Sequence, residues 1–198
     1  MHGKLLHWHP FEDGKVTVSR AAGSMTFPAE FMLVAAMNPC PCGYYGDPRR
    51  ECRCGTNAVQ KYRQRISGPL LDRIDLHIEV PAVPFKELSS GHGGTSSADM
   101  RASVVRAREI QRARFAGSQT RANGKMTHRQ TRQYCQLDEA GMNLLRGTMT
   151  ELGLSARAHD KILRVARTIA DLDASPGIQP QHVNEAINYR MLDRSLWT

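Results

Sequence analysis

A polar, glycine-rich stretch near the middle of the chain separates two kinds of sequence pattern. It runs from Leu88 to Ser97 and consists mainly of small and polar residues, a composition typical of a linker or long loop. Strand-like apolar runs precede it and helical patterns follow it. We therefore expect a two-part fold, α/β and then all-α, joined by a linker at residues 85–98.

The first part contains three strand-like segments. Lys15 to Ser19 alternates apolar and polar residues, and with Gly23 ahead of Met25 to Phe27 it predicts a β-hairpin. The continuous apolar run Phe31–Met37 predicts a buried parallel strand, covered on both faces. Ile74 to Val80 alternates strictly and predicts a further strand.

The second part carries helix start signals at regular intervals. Ser96 to Asp99 resembles a capping box and predicts a helix that runs to about Phe115, with Gly117 just beyond its end. Asp138 and Ser155 are expected to cap the next two helices, and Pro180 occupies the first position of another. The Met, Leu, Ile, Val and Ala residues at helical spacing in these segments predict a core.

Positive charge is concentrated in one region of the chain. The 198 residues include 27 Lys+Arg and 19 Asp+Glu, a formal net charge of +8. Nine of the basic residues lie between Arg101 and Arg132, against one acid, Glu109. Such a field favours a polyanion, usually nucleic acid or phosphate, although a solvated helix face accounts for it equally well. We assign Arg101, Arg108 and Arg112 as nucleic-acid contacts.

Four of the five cysteines form the pattern C-x-C-x₉-C-x-C at Cys40, Cys42, Cys52 and Cys54. Four thiolates satisfy a tetrahedral structural zinc, although the one-residue gaps are tighter than usual. Reduced surface thiols and an iron–sulfur cluster are the alternatives. The remaining cysteine, Cys135, is expected to be an ordinary semi-buried thiol. With no secretory signal, a disulfide framework is not expected.

The sequence also bears on membrane association. No apolar run approaches the roughly 20 residues that span a bilayer, and the mean hydropathy is −0.47. The first ten residues lack the apolar stretch of a signal peptide. We therefore expect a cytoplasmic protein with no membrane partner.

Three residues could contact a phosphate. Asn38 follows the apolar run, where a strand-end amide meets ligands in open sheets, although Asn-Pro can simply start a turn. Arg73 is bracketed by two aspartates, which indicates either a local ion pair or an arginine presented to a neighbouring subunit's phosphate. Arg157 lies in the first turn of the helix after Ser155, where a cation is unfavourable unless an anion binds there.

These residues, together with longer stretches, resemble the magnesium-chelatase-like AAA+ ATPases, most closely the ComM group. The similarity runs from about residue 12 to the C-terminus. The stretches that carry it are Glu12–Arg20, Phe31–Tyr45, Tyr62–Pro81, Leu152–Leu172 and Ala186–Arg190. The resemblance implies that residues 12–84 are the C-terminal part of an AAA+ P-loop core and residues 99–198 a helical lid, after an atypical leader at residues 1–11.

The resemblance also implies roles for individual residues. Asn38 would be sensor 1, Arg73 the arginine finger that reaches into the next subunit, and Arg157 sensor 2. The hairpin Lys15–Phe27 would face the pore of a hexameric ring, and the cysteines would brace the loop after sensor 1. The implied activity is ATP-driven helicase or branch-migration work on DNA during uptake of foreign DNA.

The chain departs from the family at the nucleotide site. A P-loop needs G-x-x-x-x-G-K-[ST], but the three Gly-Lys pairs are followed by Leu5, Val16 and Met126. No apolar run ends in Asp-Glu, as a Walker B strand would. We therefore expect a fragment, a split product or a degenerate paralogue that binds ATP and Mg²⁺ only with a P-loop half and does not hydrolyse ATP alone. The alternatives are a chelatase-type subunit and a non-enzymatic, zinc-braced nucleic-acid-binding module.

Overall fold

The computed structural model describes residues 14–20, 23–83 and 93–190. It divides into two compact units, residues 1–74 and residues 75–198. The predicted leader and most of the predicted linker lie outside the described residues. The described part of the first unit contains β1 (Lys15–Arg20), β2 (Gly23–Pro28), α1 (Thr56–Arg63) and α2 (Gly68–Arg73). The described part of the second contains α3 (Ser97–Arg114), a 3₁₀ turn (Asn123–Lys125), α4 (His128–Tyr134), α5 (Glu139–Leu152), α6 (Ala156–Leu172) and α7 (Pro180–Asn188).

The predicted hairpin is confirmed. β1 and β2 pair antiparallel, with Val16 opposite Phe27 and Val18 opposite Met25. The alternate positions carry hydroxyl groups that hydrogen-bond across the strands. The Oγ1 atoms of Thr17 and Thr26, for example, are 2.9 Å apart. The hairpin therefore has one apolar face and one hydroxyl face, and most of its side chains are exposed to solvent.

The prediction of a buried parallel strand at Phe31–Met37 is wrong for this structure. The segment forms no strand, and Met32 and Val34 are 87% and 83% exposed. Among the described residues, the only sheet is the two-stranded hairpin. A parallel strand needs neighbouring strands for its main-chain hydrogen bonds and layers on both faces for burial, and the described residues provide neither to this segment.

The prediction of a strand at Ile74–Val80 is also wrong. No strand forms, and Ile78 and Val80 are exposed whereas the His77 side chain is buried. The backbone N–H of His77 donates to the carbonyl of Tyr189, just after α7, at 2.8 Å. Among the described residues, no strand pairs with this segment, and the one main-chain bond reported above joins it to the end of α7.

The helix boundaries in the second unit agree with the predicted capping signals. The side chains of Ser96, Asp138 and Ser155 each accept a hydrogen bond from the backbone N–H three residues later, at 3.1, 2.7 and 3.1 Å. Gly153 ends α5 in the left-handed conformation at φ 56°. Pro180 is the first residue of α7. Local capping chemistry therefore fixes these helices.

The core of the second unit forms around α6. This helix contacts α3, α4, α7 and the 3₁₀ turn, and α7 also packs against α5. The buried apolar cluster comprises Phe115, Met126, Cys135, Leu145, Ile162, Leu163, Ala166, Ile169, Ala170, Ile178, Val183, Ala186 and Ile187. Within the described ranges, no helix is both long enough and apolar enough to cross a bilayer.

A buried polar network crosses this core. Arg114 at the end of α3 donates two hydrogen bonds to Asp171, at 2.6 and 2.5 Å. Asp171 also accepts from Asn123 at 2.7 Å and from Arg167 at 3.1 Å. The Asp171 side chain is 0% exposed and that of Arg114 12%. Arg114 therefore belongs to the core and not to the basic surface with which its sequence position groups it.

Replacing Asp171 with Asn removes the carboxylate that two arginines share. We expect the free energy of unfolding of the helical unit to fall by about 3–5 kcal/mol, because two buried guanidinium groups lose their counter-ion. Urea unfolding followed by far-UV circular dichroism measures the change. The matched control is Asp75→Asn, which breaks the pair with Lys161 on a carboxylate that is 69% exposed, with an expected loss below about 1 kcal/mol. Equal losses in the two variants would contradict this role of Asp171.

Candidate functional site

The four cysteines of the first unit converge on one point. Cys40, Cys42 and Cys52 have Sγ···Sγ distances of 3.3, 3.6 and 3.7 Å. With Cys54, all four sulfurs lie within 4.8 Å of one another. Tetrahedral coordination with Zn–S bonds of about 2.3 Å separates sulfurs by about 3.8 Å. The cluster therefore has the dimensions to hold a metal ion such as zinc.

Tight turns position these sulfurs. The N–H of Gly43 donates to the carbonyl of Cys40 at 3.1 Å, and Gly43 adopts φ 84°, a conformation that favours glycine. Further along the loop, Asp47 Oδ1 accepts from the backbone N–H groups of Arg49 and Arg50 at 2.7 and 3.2 Å. These turns bring the second cysteine pair back toward the first.

The pKa values of the four cysteine thiols are shifted in different directions. The backbone N–H of Tyr44, together with the Cys40 thiol, lowers the pKa of Cys42 to about 6. Burial acts to raise the pKa of Cys40, but backbone and thiol hydrogen bonds outweigh it and the pKa is lowered. The backbone N–H of Cys54 acts to lower the pKa of Cys52, but burial and neighbouring sulfurs raise it to about 12. A metal that binds all four sulfurs must displace any protons that the thiols still hold.

Cys135 is separate from this cluster. It is 4% exposed in the helical core, more deeply buried than the semi-buried thiol expected from the sequence. Burial raises its pKa to about 12, so the thiol stays protonated. It is a core residue in the other unit and makes a suitable control for experiments on the cluster.

Asn38 and Arg73, the predicted sensor 1 and arginine finger, both lie in the first unit. Asn38 is exposed and directly precedes the cysteine loop. Its side-chain amide lies near Gly43, about 4.0 Å from where a Cβ would stand if residue 43 were not glycine. Arg73 is the last residue of α2 and is half-buried. Its Nη1 donates to the carbonyl of Pro69 in the same helix at 2.8 Å, which anchors the guanidinium at the helix end.

The predicted sensor 2, Arg157, lies in the second unit. It is exposed in the first turn of α6, directly after the Ser155 cap. The first turn of α6 contains no acidic residue. The helix N-terminus and the guanidinium therefore place two positive elements together. Among the predicted catalytic, nucleotide-binding and metal-binding residues, the cysteines are the group whose side chains converge on one point.

The predicted nucleic-acid contacts lie on α3. Arg101 and Arg112 are exposed, and Arg108 is half-buried and donates to Gln111 Oε1 at 3.1 Å. Spacings of seven and four residues keep the three arginines on one side of the helix. Because Arg114 lies in the core, fewer than nine of the basic residues between Arg101 and Arg132 contribute to the surface charge.

Two tyrosines beside the cysteines stack with arginines, a feature that the sequence interpretation missed. The Arg50 guanidinium lies over the Tyr44 ring at 5.2 Å, and Arg63 lies over the Tyr45 ring at 4.7 Å. The sequence does contain a signal for this feature. A Tyr-Tyr pair follows the first two cysteines, and an Arg-Arg pair precedes the last two.

Comparisons with known proteins cover nearly the whole chain. The family model for magnesium chelatase, subunit ChlI, matches residues 6–88, and the model for the C-terminal region of that subunit matches residues 94–190. The chain is 43% identical to the uncharacterized protein YifB of Escherichia coli and 41% identical to competence protein ComM of Haemophilus influenzae, in each case over 94% of its length. It is 36% identical to the uncharacterized protein Rv2897c of Mycobacterium tuberculosis over 91% of its length. The chain spans only 35–36% of the length of these relatives.

The cysteine cluster predicts a metal content that can be measured. After dialysis against metal-free buffer, we expect about one zinc ion per chain, because four thiolates complete a closed tetrahedral site. Elemental analysis by plasma mass spectrometry measures the ratio. Cys42→Ser and Cys52→Ser should each lose most of the zinc, whereas the matched control Cys135→Ser should retain it. Retained zinc in the first two variants, or iron in place of zinc, would contradict the assignment.

Proposed function

This chain belongs to the magnesium-chelatase-like AAA+ family that includes competence protein ComM, and we propose that it acts as the C-terminal part of an ATP-dependent motor on DNA. Its contribution is a set of phosphate-contacting residues and DNA-contacting surface. The nucleotide cradle would come from the region that the relatives have in addition to the part matched here.

The N-terminus of α6 is the observation that carries the proposal. Ser155 caps a helix of 17 residues whose first turn contains Arg157 and no acid. A guanidinium in this position and the N–H groups of the helix N-terminus both attract anions. A nucleotide phosphate is such an anion, which supports the sensor 2 role of Arg157.

Arg73 suits the role of an arginine finger. Its hydrogen bond to Pro69 holds the side chain at the C-terminal end of α2, where the helix dipole stabilises a cation. A positioned guanidinium neutralises the charge that spreads over the phosphoryl oxygens during transfer, an effect worth about 10³–10⁵ in rate. In a hexameric ring, this group would contact the nucleotide of the neighbouring subunit.

Asn38 would act as sensor 1. Its exposed amide can hydrogen-bond a phosphate oxygen or orient the attacking water. Because Cys40 lies two residues further along, a metal at the cysteine cluster would fix the backbone that carries this amide. The cysteines thus have a structural role close to the nucleotide.

The residues that we assign to the nucleotide suit ATP but not its Mg²⁺. An amide and two guanidinium groups suit the triphosphate, whereas we assign no carboxylate of this chain to Mg²⁺. Bound ATP would supply the phosphoryl group whose hydrolysis drives the motor. Asn38, Arg73 and Arg157 would orient and neutralise that group but not hold the metal.

DNA is the proposed substrate because of the basic surface and the relative named as a competence protein. Arg101 and Arg112 are exposed along α3, and their charges favour the phosphate backbone. A chelatase-type subunit is the competing role within the family. A nucleic-acid-binding module without ATPase function is the competing role outside it, but that role would leave the combination of Asn38, Arg73 and Arg157 unexplained.

The ATPase role can be tested by complementation. The chain is mixed with a separate polypeptide that supplies the P-loop region of a relative, and phosphate release is measured. We expect activity only in the mixture, and Arg73→Ala should lower kcat by about a thousandfold or more.

The matched control is Arg65→Ala, because Arg65 is exposed in the same unit and stacks on Tyr62. This variant should remain within about twofold of the unsubstituted chain, since no phosphate-contacting group changes. Equal activities of the Arg65 and Arg73 variants in the mixture would contradict the arginine-finger assignment.

The contribution of α3 to DNA binding can be tested separately. Arg108→Ala combined with Arg112→Ala should weaken binding of duplex DNA and reduce the slope of log K against log salt by about 0.9 for each lost phosphate contact. Fluorescence anisotropy at several salt concentrations measures both quantities. Arg146→Ala, an exposed arginine on α5, is the control and should leave the slope unchanged. An unchanged slope in the double variant would exclude α3 as the contact surface.

A further inference from the structure

The cysteine loop together with α1 and the two residues after it has an excess of positive charge. Residues 40–65 include six basic and two acidic side chains. One of the acids, Asp47, accepts hydrogen bonds from backbone N–H groups and is committed to the turn. Arg49 and Arg53 are exposed, and within the described residues neither forms an ion pair with a carboxylate. The other acid, Glu51, is exposed and pairs with neither of them, so both guanidinium groups are available to a ligand.

Aromatic rings alternate with these charges. Arg50 stacks on Tyr44 at 5.2 Å and also donates to the hydroxyl of Tyr44 at 2.7 Å. Arg63 stacks on Tyr45, which is 49% exposed. A guanidinium held over a ring keeps its remaining N–H groups available and has lost rotamer freedom before any ligand binds. Both effects favour the capture of phosphate groups.

The metal cluster would make this surface rigid. Arg63 Nε donates to the carbonyl of Pro39 at 3.4 Å, which links α1 to the residue just before the first cysteine. The loop between the cysteine pairs carries Arg49 and Arg50, and Arg53 lies between the last two cysteines. Four thiolates around a divalent ion leave two negative charges, and the stretch keeps a positive balance after these are counted.

We propose that Tyr44, Tyr45, Arg49, Arg50, Arg53 and Arg63, here called the arginine–tyrosine patch, form a binding surface for single-stranded DNA. Basic groups interleaved with exposed aromatic rings bind single strands through phosphate contacts and base stacking, without reading sequence. An acidic peptide would use the charges but not the rings. The inference deepens the proposed function and rests on it for DNA as the natural ligand. It places a second contact in the unit that does not contain α3.

The test measures binding of fluorescein-labelled oligo(dT) to the full 198-residue chain. The oligonucleotide has about 20 nucleotides, which is longer than a typical single-strand site. Arg49→Ala with Arg53→Ala should raise Kd about tenfold and reduce the salt slope by about 1.4, or about 0.7 for each phosphate. Tyr45→Ala should raise Kd at least about fivefold, whereas Tyr45→Phe should bind like the unsubstituted chain because the ring remains. Arg146→Ala is the control, and equal zinc content shows that the variants keep the loop.

Each of the remaining outcomes would contradict one of the proposals. If the patch variants bind oligo(dT) like the unsubstituted chain while the α3 double variant binds weakly, the patch inference fails and the proposed function stands. If the unsubstituted chain binds no DNA, the patch and the DNA role both fail, and the complementation assay still tests the ATPase role. If polyglutamate of matched charge displaces oligo(dT) as well as unlabelled oligo(dT) does, the assignment to nucleic acid fails.

Discussion

Convergence of four cysteine sulfurs is the constraint on which the first unit depends. Among its described residues, the buried apolar side chains are Cys40, Val59 and Leu71. So little apolar burial cannot offset the conformational entropy of ordering the loop and two short helices. A metal that binds four thiolates supplies folding free energy directly. A metal bound there would also restrain the backbone of Asn38 and Tyr45, which lie two and three residues from cysteines of the cluster.

The second unit is stabilised differently. Side-chain caps begin α3, α5 and α6, and an apolar cluster surrounds α6. The carboxylate of Asp171 joins α3, the 3₁₀ turn and α6 through Arg114 and Asn123. Removing the metal should therefore disorder the first unit and leave the helical unit intact. The N-terminus of α6, with Arg157, rests on this more stable unit.

The sequence predicted what local interactions determine. Helix caps such as Ser155 depend on neighbouring residues, so α3, α5, α6 and α7 were predictable, as was the cysteine cluster from its spacing. The apolar run at 31–37 was predicted wrongly because a parallel strand depends on partner strands that local sequence does not reveal. The core role of Arg114 was missed, although its seven-residue spacing from the buried Ala107 indicates the inner face of α3.

Amide hydrogen exchange with and without bound metal measures whether metal coordination orders the first unit. We expect chelation to remove protection from residues 40–63, because the cysteine cluster is the main cross-link of that region, while protection in α6 remains unchanged. Unchanged protection at residues 40–63 after complete removal of the metal would contradict the claim that metal coordination orders the first unit.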